Sequence, residues 1–149
     1  MRSFDPARDT DLYVEGYCES FKDSYPGISV TAALAASFRE SLANFEITPG
    51  LTTFTIDSEE GRPAGFIVLG ISEMDAVRQV SVEVIYVAEA HRRKGIAKKL
   101  LSKAVTHAKE VGAGSTRLEV SVGNEAALAL YQSAGYVITR YQMERLSAS

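Results

Sequence analysis

From Ile96 onward the chain repeats its apolar positions with a helical period. Ile96, Leu100, Leu101, Ala104, Val105, Ala108 and Val111 share one stripe, and Lys98, Lys99, Lys103 and Lys109 fall mostly opposite. Gly112 and Gly114 end that helix, since glycine accepts the left-handed conformation at a helix C-terminus. Thr116–Val122 then alternates strictly, with Leu118, Val120 and Val122 on one face and Arg117, Glu119 and Ser121 on the other. A period of two predicts a half-buried strand. Asn124 suits the N-cap of a further helix through Ala134, Gly135 stops it, and Tyr136–Tyr141 reads as a last strand.

The first half carries weaker periodicity. A short strand at Arg2–Phe4 precedes a helix through Leu12–Phe21, for which Asp9 or Thr10 would be the cap, and Tyr25-Pro26-Gly27 breaks the chain. A second helix fits Thr31–Asn44, because Leu34, Phe38, Leu42 and Phe45 recur at spacings of four and three. Leu51–Ile56 and Ala64–Ile71 are β-rich runs around the turn residues of Asp57–Gly61, which predicts a hairpin. Polar Ser72–Arg78 reads as a loop. In Val80–Val87, Val80, Val82, Val84 and Tyr86 alternate with Ser81, Glu83, Ile85 and Val87. Both faces turn apolar after Glu83, as in a strand entering the middle of a sheet. A hairpin followed by strand, helix, strand, helix and strand predicts a mixed α/β sheet, and no repeat or linker divides residues 1–149 into more than one domain.

Composition narrows the function classes. Hydrophobic residues make up 46% and charged residues 23%, which is globular rather than disordered. A net charge of −3 and a pI near 5.4 argue against a dedicated nucleic-acid binder. Cys18 is the only cysteine, so no intrachain disulfide forms. No apolar run approaches the ~20 residues of a membrane span, and the charged opening lacks a signal-peptide core. These features predict a soluble cytoplasmic protein with no membrane or nucleic-acid partner.

The informative chemistry lies in His91-Arg92-Arg93-Lys94-Gly95-Ile96-Ala97, between a predicted strand and a predicted helix. The first turn of a helix exposes unpaired N–H groups at the positive end of its dipole, a site suited to phosphate. Gly95 would let a ligand approach the backbone, Ala97 keeps the next position small, and Arg92, Arg93 and Lys94 add positive charge. Three basic residues and a glycine fit a solvated corner equally well. Neither GxGxxG nor the P-loop pattern is present.

Two segments together resemble a known family. Ile85-Tyr86-Val87-Ala88-Glu89-Ala90-His91-Arg92-Arg93-Lys94-Gly95-Ile96-Ala97 is similar to the acyl-coenzyme A loop of the GNAT superfamily of N-acetyltransferases. The family pattern is Arg or Gln, two residues, Gly, one residue, then Gly or Ala; Arg92, Gly95 and Ala97 meet it. Downstream, Asn124-Glu125-Ala126-Ala127-Leu128-Ala129-Leu130-Tyr131-Gln132-Ser133-Ala134-Gly135-Tyr136 resembles the family's Asn, two residues, Ala, two residues, Leu-Tyr, three residues, Gly-aromatic signature. The likeness spans Val80 to Tyr136, with a weaker match at Arg2 and Asp9.

The resemblance implies a GNAT-like fold, with antiparallel N-terminal strands and a central splayed parallel pair that admits the pantetheine arm of acetyl-CoA. The backbone of Arg92, Arg93, Lys94, Gly95, Ile96 and Ala97 would hold the pyrophosphate. The backbone of Ile85, Tyr86 and Val87 would meet pantetheine, and Asn124 and Tyr131 would contact the cofactor. The implied reaction is direct acetyl transfer to a primary amine of a small molecule or peptide. An ammonium must lose a proton before attack, which calls for a base. Glu83 is the candidate, against its reading as a solvated strand residue. Tyr131 would protonate the leaving thiolate, although it also extends the apolar stripe of Ala127 and Leu128. Asn124 reads as helix cap and cofactor contact at once.

The remaining conspicuous residues have plain readings. His91 reads as exposed, His107 has no ligand partner at metal spacing, and Cys18 reads as a buried thiol, so no metal is expected. Family likeness places the acceptor pocket at roughly Leu12–Phe45 and Ser72–Arg78. There Tyr13, Tyr17, Phe21 and Tyr25 interleave with Glu15, Glu19 and Asp23, which is either a cation-binding wall or a helix with a buried and a wet face. Members of the family often dimerise through C-terminal strands, which admits a homodimer. A non-catalytic acyl-CoA-binding sensor or regulatory module is the alternative reading.

Overall fold

The computed structural model describes residues 1–149 apart from Pro26, residues 44–49, Leu146, Ala148 and Ser149. Its order is β1 (Arg2–Ser3), α1 (Pro6–Ser24), α2 (Ala32–Ala43), β2 (Leu51–Asp57), β3 (Pro63–Met74), β4 (Val77–Val87), α3 (Ile96–Glu110), β5 (Ser115–Arg117) and α4 (Glu125–Ser133). Among the described residues the strands form one sheet in the order β1-β2-β3-β4-β5, antiparallel except for the parallel β4–β5 pair. This is the mixed α/β sheet expected. The ends of the predicted second helix, Asn44 and Phe45, lie outside the described residues.

Helix α1 begins earlier than predicted. Asp5, not Asp9 or Thr10, is its N-cap: its Oδ1 accepts from the Ala7 N–H at 3.0 Å, and Pro6 supplies a ready φ for the first turn. Asp9 is instead buried at 1% exposure, where Arg2 Nη1 and Nη2 donate to it at 2.8 and 2.7 Å. Arg2 also donates to Asp57, so one guanidinium ties β1, α1 and the end of β2 together. Thr55 Oγ1 and the Asp5 N–H donate to Asp9 Oδ2 as well. Burial alone would push the Asp9 pKa up, but the Arg2, Asp5 and Thr55 hydrogen bonds outweigh it and hold the carboxyl below its usual range.

The sheet separates two apolar layers. On one face α1 and α2 pack Leu12, Tyr13, Val14 and Leu42 against Phe66, Val68, Val84 and Tyr86. On the other, α3 packs Leu100, Ala104 and Ala108 against Ile67, Leu69 and Val80. Gly16 lets α1 sit close to the sheet: a Cβ there would lie 2.6 Å from the Phe66 ring and 2.8 Å from Tyr86.

Three expectations change. Ser72–Arg78 is not a loop; β3 and β4 run through it and meet at Asp75 and Ala76, whose φ angles of 52° and 63° suit a tight two-residue hairpin. Asp-Ala lacks the usual glycine, so the turn carried no clear signal. The β5 strand is shorter than predicted, because Thr116–Val122 pairs with β4 only through Arg117. No strand forms over Tyr136–Tyr141, and Val137 and Tyr141 are 78% and 85% exposed. Among the described residues the sheet ends at β5, and Tyr136–Tyr141 pairs with none of its strands.

The change of pattern at Glu83 has a local cause. Leu69 pairs with Val82 and Val68 with Val84, which leaves Glu83 without a partner on β3, as in a β-bulge. One extra residue inverts the phase of every later side chain. Val80 and Val82 face α3, whereas Val84 and Tyr86 face α1, and Ile85 and Val87 take over the α3 side.

Candidate active site

The β4–β5 pair closes at Gln79–Ser115, Val80–Thr116 and Ser81–Arg117, and then separates. Beyond Ser81, Val82–Val87 form one wall of a cleft of about 840 Å³, and Leu118–Ser121 form another. The α3 N-terminus closes one end, and α1 and α4 contribute Gly16, Glu19, Asp23, Ala127 and Tyr131. Among the described residues the β4 edge facing the gap meets no strand beyond Ser81, so backbone groups there are free to pair with an extended ligand.

At the α3 end a short 3-10 turn, Glu89–His91, leads into a loop with two left-handed residues, Arg93 (φ 61°) and Gly95 (φ 76°). Left-handed residues alternating with right-handed ones are the backbone pattern of an anion-binding nest. The first α3 bond runs from the Lys99 N–H to the Gly95 carbonyl at 3.1 Å, so the N–H groups of Ile96, Ala97 and Lys98 have no helical acceptor. A Cβ at Gly95 would meet nothing within 4 Å. Glycine is therefore required there for its φ, and it faces open space.

The basic side chains divide their tasks. Arg92 folds back: its Nε donates to the Val87 carbonyl at 2.9 Å, and its guanidinium lies 5.7 Å from the centre of the Tyr86 ring. The Tyr86 hydroxyl donates to Glu15 Oε1 at 2.9 Å, which links the loop to α1. Burial, and then the Glu15 carboxylate, push the Tyr86 pKa up to about 12. Arg93 lines the cleft and Lys94 does not, while Lys98, in the first turn of α3, lines it without having been singled out from sequence.

Glu83 lines the cleft two residues beyond the last parallel pair. Its Oε1 accepts a hydrogen bond from Ser81 Oγ. Burial raises the Tyr17 pKa, and the Glu83 charge adds to it. Tyr131 lines the cleft from α4. A Schellman motif at Gly135 (φ 92°) returns the chain so that the Tyr136 ring lies edge-on to Tyr131, at 6.3 Å between centroids. Burial raises the Tyr131 pKa, and Tyr136 and Asp23 raise it further. Asn124 is the α4 cap, its Oδ1 accepting from the Ala127 N–H at 3.1 Å, and its Nδ2 donates to Asp23 at 3.4 Å.

The cleft therefore collects Glu83, Ile85, Tyr86, Val87, Arg92, Arg93, Gly95, Ile96, Ala97, Asn124 and Tyr131, but not Lys94. The hairpin at Asp75 and Ala76 stands at the far end of β4, so Ser72–Arg78 forms no part of the wall. Of the four aromatic residues, Tyr13 is fully buried and Tyr17 packs against the core, whereas Tyr25, just past the end of α1, is 54% exposed. Glu19 and Asp23 instead face the cleft, a set that the four-residue spacing from Glu15 would have identified. Among the described residues no His, Cys, Asp or Glu cluster could hold a metal, and no helix is long and apolar enough to cross a membrane.

Comparison with known proteins agrees with this geometry. The family model for the acetyltransferase (GNAT) family matches residues 14–136. Streptothricin acetyltransferase of Streptomyces lavendulae is 36% identical over 84 residues, covering 56% of this chain and 43% of that protein. The L-amino acid N-acyltransferase MnaT of Escherichia coli K12 is 31% identical over 85 residues, covering 56% and 49%. The chain thus spans about half the length of the curated relatives it matches. The structure of AAC(6′)-Iy in complex with the bisubstrate analogue CoA-S-monomethyl-acetylneamine superposes with a TM-score of 0.63 over 93% of each chain at 21% identity, a likeness of fold. With a cleft between parallel strands that part after Ser81, and a family match over most of its length, the chain belongs to the GNAT family of acetyltransferases.

Proposed function

We propose that the protein transfers an acetyl group from acetyl-CoA directly to a primary amine of a small molecule or peptide. The observation that carries this reading is the continuity of the cleft from the nest at Arg93–Gly95 to Glu83, between strands that part after Ser81. The nest fits a pyrophosphate, because it combines the N–H groups of Ile96, Ala97 and Lys98 that have no helical acceptor, Arg93 and Lys98 nearby, and open space over Gly95. The unpaired β4 edge at Ile85 and Tyr86 fits an amide-bearing arm. The Val87 carbonyl is already engaged by Arg92. Acetyl-CoA supplies an activated thioester.

The side chains divide the proton traffic. Glu83 removes a proton from the acceptor ammonium, and the freed lone pair forms the C–N bond as the C–S bond breaks. Tyr131, held protonated by its burial, donates to the departing sulfur. The second proton on nitrogen is released as the amide forms, so the sum is one amide, one free thiol and one proton. Alignment in the cleft supplies much of the acceleration.

A thiol-release assay with acetyl-CoA tests the reading against a panel of amino acid amides, an aminoglycoside, streptothricin and a short peptide. Steady release with at least one amine is expected. Acetyl-CoA binding without release from any amine supports the acyl-CoA sensor instead, and the absence of binding overturns both.

A further inference from the structure

We infer that Gly70 and Ser81 are positioning residues that hold the Glu83 carboxylate at the apex of the cleft, an inference that rests on the reading of Glu83 as the base. Glu83 is the extra residue of the β4 bulge, so the ladder with β3 does not anchor it as it anchors Val82 and Val84. A bulge re-aims a side chain, and something else must then fix its direction. On this face the restraint is Ser81, whose Oγ donates to Glu83 Oε1. Ser81 also occupies the last β4–β5 pair, where both neighbouring strands hold its backbone. The donor is thereby fixed by the sheet while the carboxylate it restrains is not.

Gly70 stands opposite Ser81 in the β3–β4 register. A Cβ at Gly70 would lie 2.8 Å from Glu83 Oε1, 2.9 Å from Ser81 Oγ and 3.4 Å from Leu51 Cδ2. Gly70 is not among the residues with positive φ, so its backbone conformation does not demand glycine. A glycine in a strand interior weakens the strand, and here the space it leaves is the space the carboxylate and hydroxyl occupy. The three residues form one device: a bulge presents the acid, a hydroxyl orients it and a missing side chain makes room for it.

The test is a set of kinetic cycles with acetyl-CoA and the amine of the panel that releases thiol fastest. Glu83→Gln is expected to lower kcat by about 100-fold or more, the usual contribution of a positioned base. Ser81→Ala and Gly70→Ala are each expected to lower kcat by about 10–100-fold, as small misplacements of a catalytic group do. Acetyl-CoA affinity and thermal stability should stay near the parent values in Ser81→Ala. Ser81→Thr, which keeps the hydroxyl, should restore most of kcat. In the Glu83→Gln background neither substitution should lower kcat further, because the group they position is gone. If Glu83→Gln lowers kcat but Ser81→Ala does not, or if the losses simply add in the double variants, the positioning role is overturned while the base reading stands. If Glu83→Gln turns over at the parent rate, the base reading falls and this inference falls with it.

Discussion

Ser81 and Arg117 form the last register pair of the two parallel strands, and the cleft begins at the next residue of β4. The bulge at Glu83 follows at once and bends β4 where its neighbour is already departing. One sheet therefore supplies both a rigid closed end and an open groove. The groove runs from the carboxylate at its apex to the nest before α3.

Gly95 combines a left-handed φ of 76° with an open face. An L-residue in that conformation costs about 1–2 kcal/mol, and its Cβ would stand over the nest. Gly95→Val should lower the melting temperature by only a few degrees and weaken acetyl-CoA binding by about tenfold or more, since 1.4 kcal/mol is tenfold. Calorimetric titration checks this; unchanged affinity would move the anion site elsewhere.

Burial holds Tyr131 above the ordinary pKa of a phenol. A raised pKa keeps the acid form predominant in neutral and mildly alkaline solution, so no loss of kcat between pH 7 and about 9 is expected from this group. Tyr131→Phe should lower kcat by about 10²-fold and leave acetyl-CoA affinity within a few-fold. A rate profile across that range, for both proteins, decides the matter.

Asp9 is buried against Arg2, and its folded pKa lies below its unfolded value. The stability this contributes is present above the unfolded pKa of about 3.9 and is lost as pH falls through the folded value. Asp9→Asn should cost about 1–3 kcal/mol at pH 7, because charge-assisted hydrogen bonds are lost while Asp57 still neutralises the guanidinium. Urea unfolding should show a flatter pH dependence below about pH 4 in the variant than in the parent.

Gly16 places α1 against the Phe66 and Tyr86 rings, with no room for a Cβ. Alanine gains about 1 kcal/mol of helix propensity there, but overpacking costs about 1–3 kcal/mol. Gly16→Ala should therefore be net destabilising, and Gly16→Val more so. Thermal melting checks the order, and a stabilised alanine variant would show that α1 shifts freely.

Much of this protein was legible in its residues. The helical stripe from Ile96, the hairpin around Asp57–Gly61 and the loop ending at Gly95 all depend on contacts or conformations near in sequence. Local period and backbone freedom suffice for such features, and they pointed to the family and to the nest. What failed depended on distant partners. Asp9 looked like a cap until Arg2 and Thr55 claimed it, and the four-residue spacing of Glu15, Glu19 and Asp23 groups them on one face of α1 without saying that a cleft lies beside it. The segment Tyr136–Tyr141 has β-forming residues but pairs with no strand of the sheet, and pairing is a property that its own sequence does not carry.

Glu83 shows the division most clearly. The sequence by itself determined that the apolar alternation of β4 breaks there, and that a carboxylate stands at the break. Only the tertiary structure decided that the break is a bulge, because a bulge is defined by a partner strand that pairs with Val82 and Val84 and passes Glu83 by. Pairing across the sheet, and the early separation of β5, place that exposed residue on the wall of a cleft.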